Sequence, residues 1–378
     1  TQSRSSAASD VYKRQDVWGP GLNQLVSLHN PQLVRNWWDY KYSKASIRDW
    51  RTSGLYIHDV IDINNKWKAM GSARMDFYNY RTATAKVKDG RQEYDEADRS
   101  EWKKVKTSAF TGRAGLVYIP VEEISLYASF GSHFKPYNTM YSSRVIYLDR
   151  NGKRFNPSKD GGEVFKPEKG YQAEIGVRYM WADRIDFSGS VYYIRKNNVV
   201  KNLGTQEEKD ETTGEMVQKT IQAQVGTADS RGFDLELTVH PVSTLAVTGG
   251  LGWQDYRIRK INQSKDYPEY TDPGKNVRAT GIPRTTFYVY ADYTIPKGLL
   301  KNLSFHLSGT FQDKIFTDVA NRVYNPALFL VDGGLFYTIK QKVTLALNVD
   351  NLFDKEYFKS TTVYGKPRNF TGTISYRF

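Results

Sequence analysis

Apolar and polar residues alternate strictly in many short segments of this chain. In "VTLALNVD" (343–350), the odd-numbered positions are Val or Leu, and the even-numbered positions are Thr, Ala, Asn and Asp. The segments 185–193, 233–239 and 304–311 follow the same two-residue period. A strand directs alternate side chains to opposite faces, whereas a helix would scatter these apolar residues around its axis. The pattern predicts about thirteen β-strands from roughly Thr52 onward.

The links between the predicted strands alternate between short and long. The short links lie at 63–66, 119–123, 180–184, 240–244, 295–302 and 339–342. The long, polar links lie near 79–107, 133–167, 196–223, 254–282, 313–326 and 352–368. A β-sandwich does not require this alternation, whereas an up-and-down barrel of the outer-membrane type has short turns at one end and long loops at the other. The pattern therefore predicts an all-β, transmembrane, antiparallel up-and-down β-barrel, with strand-end aromatics in two interfacial girdles: Trp181, Trp253, Tyr293 and Tyr337.

Composition agrees with a barrel that is apolar on one face only. Tyr, Phe and Trp number 27, 18 and 8, yet only 39% of the residues are hydrophobic, and no run of about 18 apolar residues occurs. Cysteine is absent, which excludes disulfides and thiolate metal sites. The formal charge of +13 comes from Lys and Arg that are interleaved with acids, so no concentrated stripe for nucleic acid is predicted.

The first fifteen residues do not share the strand pattern. "TQSRSSAASDVYKRQ" is polar, lacks the apolar core of a signal peptide and shows no clear periodicity. We interpret residues 1–15 as a non-native tail, with a disordered native tail as the alternative, and residues 16–378 as the barrel portion.

Five segments resemble a known family. They are 53–80, 112–136, 165–179 with its Pro-Glu and Glu-x-Gly runs, 230–237 with its Ser-x-Gly-x-Asp-x-Glu run, and the terminal pair "NVDNLFDKEYF" and "YGKPRNFTGTISYRF". Together they are similar to the C-terminal part of TonB-dependent outer-membrane receptors of the ferric-siderophore type. The resemblance covers about residues 25–378, and the terminal pair is its most specific part.

The resemblance implies a larger protein. The family barrel has 22 strands and a plugged lumen, so the chain corresponds to about thirteen strands of that barrel, without the plug or the segment that contacts TonB. It implies a receptor of the bacterial outer membrane, not an enzyme, that imports ferric siderophores with energy delivered through TonB. The siderophore already coordinates the iron, so neither a cofactor nor a metal-ligand cluster is expected.

Ligand recognition is expected from Arg, Lys and aromatic residues of the long loops, because ferric siderophores are often anionic and bulky. The candidate ligand-binding residues are Tyr137, Tyr141, Arg144, Tyr147, Tyr267, Tyr270, Arg322, Tyr324, Tyr364 and Lys366. Alternatively, these residues order the loops or contact lipopolysaccharide. The resemblance also implies that Tyr376 and Phe378, at the end of the last strand, form the signal read by the outer-membrane insertion machinery.

Other functions remain open on the sequence alone. A TonB-dependent importer of cobalamin, haem or glycans would share the strand pattern, and a passive porin or a secreted adhesin is a more distant alternative. A barrel hydrolase would need a Ser and a His together. His306 and Ser308 share a strand face, but no supporting acid stands near them in the sequence, so we interpret them as lumen-wall residues.

Overall fold

A computed structural model of the 378-residue chain describes residues 12–18, 44–87, 94–136, 145–149, 152–155, 165–209, 214, 216–224, 226–259, 277–318, 321–340, 342–360 and 363–378. These residues form β-strands joined by turns and irregular links. Among them there is no helix long and apolar enough to cross a membrane.

Twelve strands of the described residues lie between Tyr12 and Gln224. They are β1 (Tyr12–Trp18), β2 (Lys44–Asp62), β3 (Trp67–Val87), β4 (Tyr94–Arg99), β5 (Lys103–Val121), β6 (Ile124–Lys135), β7 (Val145–Leu148), β8 (Arg154–Phe155), β9 (Glu168–Trp181), β10 (Ile185–Asn197), β11 (Val200–Lys209) and β12 (Met216–Gln224).

Twelve further strands of the described residues lie between Thr227 and Tyr376. They are β13 (Thr227–Val242), β14 (Leu245–Ile258), β15 (Val277–Arg278), β16 (Thr285–Thr294), β17 (Leu303–Gln312), β18 (Ile315–Phe316), β19 (Tyr324–Asn325), β20 (Leu328–Ile339), β21 (Val343–Asp350), β22 (Phe358–Ser360), β23 (Val363–Tyr364) and β24 (Asn369–Tyr376).

One large antiparallel sheet runs through the chain in sequence order. Its path is β1-β2-β3-β5-β6-β9-β10-β13-β14-β16-β17-β20-β21-β24, with β4 and β15 paired to its sides. From β2 to β24 this path contains thirteen strands, which is the number that the periodicity predicts. Within this path, the periodicity did not identify β1. Residues 12–15 lie in β1 and pair with β2, although the sequence analysis set them aside as part of a tail. The division of the chain at residue 15 stays a prediction.

Short and long links alternate along this path, which confirms the predicted up-and-down arrangement. The strand pairs β5–β6, β9–β10 and β13–β14 are joined by links of two or three residues, whereas β6–β9 and β10–β13 are joined through residues 136–167 and 198–226. The first long link, predicted near 79–107, is shorter than predicted, since β3 continues to Val87 and β5 begins at Lys103. Continued pairing of these two strands satisfies their backbone groups well beyond the apolar segments.

The register separates an apolar face from a polar face. Val191 pairs with Ile175 on one side and Phe233 on the other, and the side chains of Ile175 and Val191 are 64% and 58% exposed. The adjacent positions, Ser190 and Asp234, pair on the opposite face. Large apolar side chains exposed in rows on one face of a sheet are typical of a lipid-facing barrel wall, and the polar face then lines the lumen.

The predicted girdle aromatics lie on the apolar face at two levels. Trp181 pairs with Ile185, Tyr293 with Leu245 and Tyr337 with Leu303, all beside short links. Trp253 lies toward the opposite end, where its ring stacks on Phe233 with centroids 5.9 Å apart.

Two long links fold together into a second sheet. Its order is β11-β12-β7-β8, and β12 pairs in parallel with β7, which joins the link after β6 to the link after β10. Ile146, Leu148 and Ile221 are almost completely buried in its apolar core, together with Ala228 and Ile258 from the tops of β13 and β14. This small sheet is therefore packed onto the long-link rim of the large sheet.

Candidate functional site

The long-link rim carries the described members of the predicted ligand-binding set. Tyr137, Tyr141, Arg144, Tyr267 and Tyr270 lie outside the described residues. The other five lie in three separate places on this rim, so the structure does not gather them into one site.

Tyr147 lies in the interior of the small sheet. Its side chain is 1% exposed, and its ring lies 6.0 Å from that of Phe155 and 5.9 Å from that of Phe165. Sequence reasoning missed this because the polar surroundings of "SSRVIYLDRNG" conceal a four-residue strand whose partner is more than seventy residues away. In this arrangement the Tyr147 ring stabilises the rim and offers no surface to a ligand.

Arg322 and Tyr324 lie in the β18–β19 hairpin, which brings further cations and aromatics together. The Phe316 and Tyr324 rings meet edge to face with centroids 6.2 Å apart. The Lys314 ammonium lies 5.5 Å and 5.2 Å from these two ring centroids, and the Arg278 guanidinium lies 5.2 Å from the Phe316 ring. We refer to Arg278, Lys314, Phe316, Arg322 and Tyr324 as the hairpin site. Cations beside aromatic faces can bind an anionic aromatic or chelating ligand.

Local hydrogen bonds hold the hairpin site in shape. Asp318 Oδ1 accepts hydrogen bonds from the amides of Arg322 and Val323, each at 2.7 Å. Asn321, which has a φ of 59°, accepts a hydrogen bond from the Arg278 amide through Oδ1 (2.8 Å) and donates one to the Arg278 carbonyl through Nδ2 (3.0 Å). The hairpin is thereby tied to β15, next to the top of β14.

Electrostatics also stabilise this turn. Burial would raise the pKa of Asp318, but the two amide hydrogen bonds and the Arg322 guanidinium, whose Nε is 3.3 Å from Oδ2, outweigh burial and hold that pKa below its ordinary value. The Arg322 side chain itself is 82% exposed. It therefore remains accessible to a ligand while its backbone is fixed.

Tyr364 and Lys366 lie on the last long link. The Tyr364 ring packs against Phe358 with centroids 4.4 Å apart, and 71% of its side chain is exposed. The carbonyl of Lys366 accepts a hydrogen bond from Asn351 Nδ2 at 3.1 Å.

The Asn-Leu-Phe-Asp segment braces the base of this last link. Asn351 is 4% exposed with a φ of 51°, and its amide donates to Asp332 Oδ1 at 2.7 Å. Its side chain bonds the amide and the carbonyl of Lys355 as well as the carbonyl of Lys366, and Asp354 Oδ1 accepts from the Arg368 amide at 2.8 Å. The most specific stretch of the family resemblance is therefore a hydrogen-bonded clamp on the loop.

The lumen wall carries a second polar cluster, which sequence reasoning did not single out. Tyr127 donates to Glu174 at 2.5 Å, and Tyr288 donates to Glu236 at 2.5 Å. Tyr127, Asp234, Glu236 and Tyr288 line a recess of about 310 Å³, and Glu174 lies beside it through its hydrogen bond to Tyr127. The available signal was the spacing of the Glu-x-Gly and Asp-x-Glu runs, which places their carboxylates on the polar strand face.

Glycines in the same runs explain how the tyrosines reach the carboxylates. Tyr127 pairs with Gly176, and Tyr288 pairs with Gly250, which in turn pairs with Glu236. A Cβ atom at Gly176 or Gly250 would collide with the tyrosine ring that lies across it. Absence of a side chain at these positions lets each ring cross a neighbouring strand, as in aromatic rescue of sheet glycines.

His306 does have a carboxylate beside it, contrary to the sequence analysis. Its Nδ1 lies 2.8 Å from Asp292 Oδ1, because the register places Asp292 directly opposite on β16. A neighbour on another strand could not be read from the spacing along one strand. Among the described residues no hydrogen bond joins Ser308 to His306, so the pair is not assembled as a nucleophile and its base.

Arginines and buried carboxylates form a belt on the apolar, outward face above Trp253. Asp255 is only 1% exposed because Arg257 and Arg231 cover it, with nitrogen–oxygen distances of 2.8 Å and 3.5 Å. Asp229 is covered in the same way by Arg259 at 3.1 Å and Arg195 at 3.8 Å. We name these four arginines and two aspartates, on β10, β13, β14 and the residue after β14, the outer arginine belt. The guanidiniums of Arg195 and Arg231 are 42% and 62% exposed toward the membrane side.

The last strand agrees with the predicted lipid-facing pattern. Tyr376 pairs with Val343 and Ile374 with Leu345, so these side chains share the apolar face, and all eight residues of β24 are exposed. Among the described residues β24 pairs with β21 alone. The insertion-signal role of Tyr376 and Phe378 stays a prediction.

An antiparallel, up-and-down sheet with an apolar outer face, a polar lumen wall and long loops on one rim defines an outer-membrane β-barrel receptor. The chain belongs to the TonB-dependent receptor-like β-barrel family, whose model matches residues 4–352. This is a family of receptors and transporters, not of enzymes.

Relatives and solved structures agree with this assignment. The metal-pseudopaline receptor of Pseudomonas aeruginosa (strain UCBPP-PA14) is 23% identical over 332 residues, which cover 86% of this chain and 40% of that protein. The ferrichrome outer membrane transporter/phage receptor of Escherichia coli K12 is 27% identical over 302 residues, covering 75% of this chain and 35% of that protein. The closed form of the ferric-catecholate import receptor of E. coli K12 superposes with a TM-score of 0.69 at 17% identity, covering 97% of this chain and 50% of that one. The chain thus spans about two fifths or less of the length of these two sequence relatives.

Proposed function

We propose that the protein containing this chain is an outer-membrane receptor that binds ferric siderophores outside the cell and imports them with energy supplied through TonB. The observation that carries the proposal is the hairpin site, where Arg278, Lys314 and Arg322 surround the rings of Phe316 and Tyr324 on the long-link rim. Relatives that are receptors for ferrioxamine B and ferrichrome support the same cargo class. The iron enters as part of the cargo, held by its chelator.

The lumen wall supports a receptor whose lumen is filled. Asp234 and Glu236 line the recess with Tyr127 and Tyr288, Glu174 bonds Tyr127 beside it, and none of the described residues that line it is a Lys or an Arg. Clustered carboxylates in a protein interior require cationic partners or protons. A plug domain that inserts basic side chains here would supply the partners, and its movement would open the path for the cargo.

Two further partners follow from the outer face and the last strand. The outer arginine belt lies at the level where anionic headgroups meet the barrel, and we propose that Arg195 and Arg231 contact phosphates of lipopolysaccharide. We also propose that Phe378 is read by the outer-membrane insertion machinery.

Ligand titration of the purified full-length receptor tests the transport proposal. We expect saturable quenching of intrinsic fluorescence by at least one ferric siderophore, and loss of that quenching in a variant that combines Tyr324→Ala with Arg322→Gln. Tyr290→Phe, a lumen-wall tyrosine away from the rim, is the matched control. Saturable binding of cobalamin, haem or an oligosaccharide with no response to any ferric chelate would replace the siderophore with that cargo.

A further inference from the structure

A group of basic residues on the lumen wall is separate from every site described above. Lys135 ends β6, Glu168 begins β9 and pairs with Lys135, and Lys196 is the second-last residue of β10. All three therefore lie where the large sheet meets the long links. Their positions in the two-residue period place them on the same face as Tyr127, Glu174 and Ser190, which is the lumen face.

Glu168 is the centre of this group. The Lys196 ammonium lies 3.8 Å from Glu168 Oε1, and the carboxylate side chain is only 12% exposed. Lys201, from β11 of the small sheet, is close enough to interact electrostatically with Glu168, Lys196 and Lys135. Glu168 thus forms one ion pair, with Lys196, while Lys135 on the paired strand and Lys201 add positive charge around it.

The charges of the group are unbalanced. Burial has the largest effect on Lys201 and lowers its pKa; Glu168, next in effect, acts in the opposite direction, and the charges of Lys196 and Lys135 lower the pKa further. His133, two residues before Lys135 on the same face, interacts with Lys196 and Glu168, and its Nε2 is buried without a hydrogen-bond partner among the described residues. A lysine whose charge is disfavoured by burial and a buried nitrogen without a hydrogen-bond partner are both stabilised by an incoming anion.

We infer that Lys135, Lys196 and Lys201, arranged around Glu168, form an anion-binding subsite that takes the carboxylates of a negatively charged metal chelate. The inference rests on the proposed function and narrows its ligand class to anionic chelates in preference to neutral ones. Ammonium groups are compact point charges with rotatable donors on flexible stems, so they attract carboxylates without requiring the bidentate geometry of a guanidinium. The position at the long-link end of β6, β9 and β10 places the subsite on the lumen face of the rim.

The strand itself offers matched variants. Lys169 follows Glu168, is exposed, and lies on the opposite face, where its ammonium is 6.0 Å from the Phe134 ring centroid. Lys169→Gln removes the same charge as Lys135→Gln without touching the subsite. Glu168→Gln has the opposite effect, because it increases the positive charge at the subsite.

The test uses the purified full-length receptor with three probes: iron-free citrate, ferric citrate and a neutral ferric trihydroxamate. We expect the double variant K135Q/K196Q to bind citrate and ferric citrate about tenfold more weakly. Glu168→Gln should bind them more tightly, and Lys169→Gln should match the unmodified receptor. Raising the ionic strength should weaken binding of both anionic probes.

The possible failures are distinguishable. If the receptor binds citrate through these lysines but binds no ferric chelate, the siderophore function fails and the anion subsite stands. If ferric chelates bind with affinities that K135Q/K196Q and Glu168→Gln leave unchanged, or that change equally for the neutral trihydroxamate, the anion subsite is overturned and the transport function stands.

Discussion

The hydroxyl of Tyr288 on β16 lies 2.5 Å from a carboxylate oxygen of Glu236 on β13, although β14 runs between these two strands. The Tyr288 side chain crosses β14 at Gly250. Only glycine fits at this position, because a Cβ atom would collide with the ring. This relationship links a glycine, a tyrosine and a carboxylate across three strands of the lumen wall. It predicts that the glycine is as important to the pair as the two side chains that bond.

Gly250→Ala should therefore destabilise the barrel. The added methyl group meets the Tyr288 ring, which must move and give up its hydrogen bond to Glu236. Overpacking of this kind costs about 1–3 kcal/mol. Urea unfolding of the full-length receptor in detergent, followed by fluorescence, measures the change in the free energy of unfolding.

Gly71→Ala is the control for that substitution. An added Cβ at Gly71 has no neighbour within 4 Å, and Gly71 also lies within a paired strand. Its effect should be small or slightly stabilising. If both variants lost the same free energy of unfolding, the cost would come from replacing any glycine in a strand and not from the collision with the Tyr288 ring.

The strands of the large sheet could be predicted from the sequence because apolar and polar residues alternate within each lipid-facing strand. Val343 to Asp350 shows the pattern without any knowledge of its partners. The small sheet could not be predicted from the sequence. Its strand β7 has only four residues, and β7 pairs with β12, which is far away along the chain and comes close only when the protein folds. For this reason the sequence predicted Tyr147 as a ligand-binding loop residue, whereas in the structure it is buried in the small sheet.

The site was less predictable than the fold for the same reason. Arg322 and Tyr324 were identified by residue type, but Lys314 and Arg278 join them only through hairpin closure and the Asn321 hydrogen bonds. Asp292 was missed beside His306 because cross-strand partners depend on register. Residue types predict what a loop can bind, whereas pairing decides which side chains meet.

The Asn351 clamp should be sensitive to loss of its side chain. Asn351→Ala removes the hydrogen bonds to Lys355 and Lys366 and places Ala at a φ of 51°. We expect faster amide exchange and proteolysis across residues 355–368, with a loss of about 1–3 kcal/mol in the free energy of unfolding. Asn351→Gly tolerates the backbone angle but lacks the hydrogen bonds, so it separates the two contributions. A glycine variant as stable as the unmodified receptor would show that the hydrogen bonds contribute little.

The Asp318 turn should resist acid. Because its folded pKa lies below the ordinary value of about 3.9, its stabilisation is fully present above the unfolded pKa and is lost as pH falls through the folded pKa. Hydrogen exchange at the amides of Arg322 and Val323 should stay slow between pH 7 and pH 5 and accelerate only at lower pH, after correction for intrinsic exchange. Asp318→Asn should show faster exchange already at pH 7. Protection that is lost near pH 6 would contradict the assignment to this carboxylate.

If the outer arginine belt contacts lipopolysaccharide, the purified receptor should retain lipopolysaccharide that depends on these arginines. The double variant R195Q/R231Q, which removes the two guanidiniums that face the membrane side, should copurify with less lipopolysaccharide phosphate per receptor than the unmodified protein. R195Q/R231Q also removes a cationic partner from each of the buried carboxylates Asp229 and Asp255. The variant Arg231→Lys keeps the positive charge and should therefore retain most of the lipid. Arg178→Gln removes a guanidinium that pairs with Asp186 at 2.9 Å on the lumen face and serves as the charge control. Unchanged phosphate content in R195Q/R231Q would rule out the belt as a lipid contact.

Phe378 should matter for assembly and not for stability. Its ring is fully exposed, meeting the Tyr376 ring edge to face at 5.1 Å, and strand pairing ends at Tyr376. Deleting Phe378 from the full-length receptor should lower its level in the outer membrane while the assembled fraction unfolds at the same urea concentration. Phe370→Ala, which removes another exposed aromatic of β24 from a paired position, should leave the outer-membrane level closer to normal. A normal level of the truncated receptor, measured in outer-membrane fractions by its heat-modifiable band, would show that the last aromatic is not a signal.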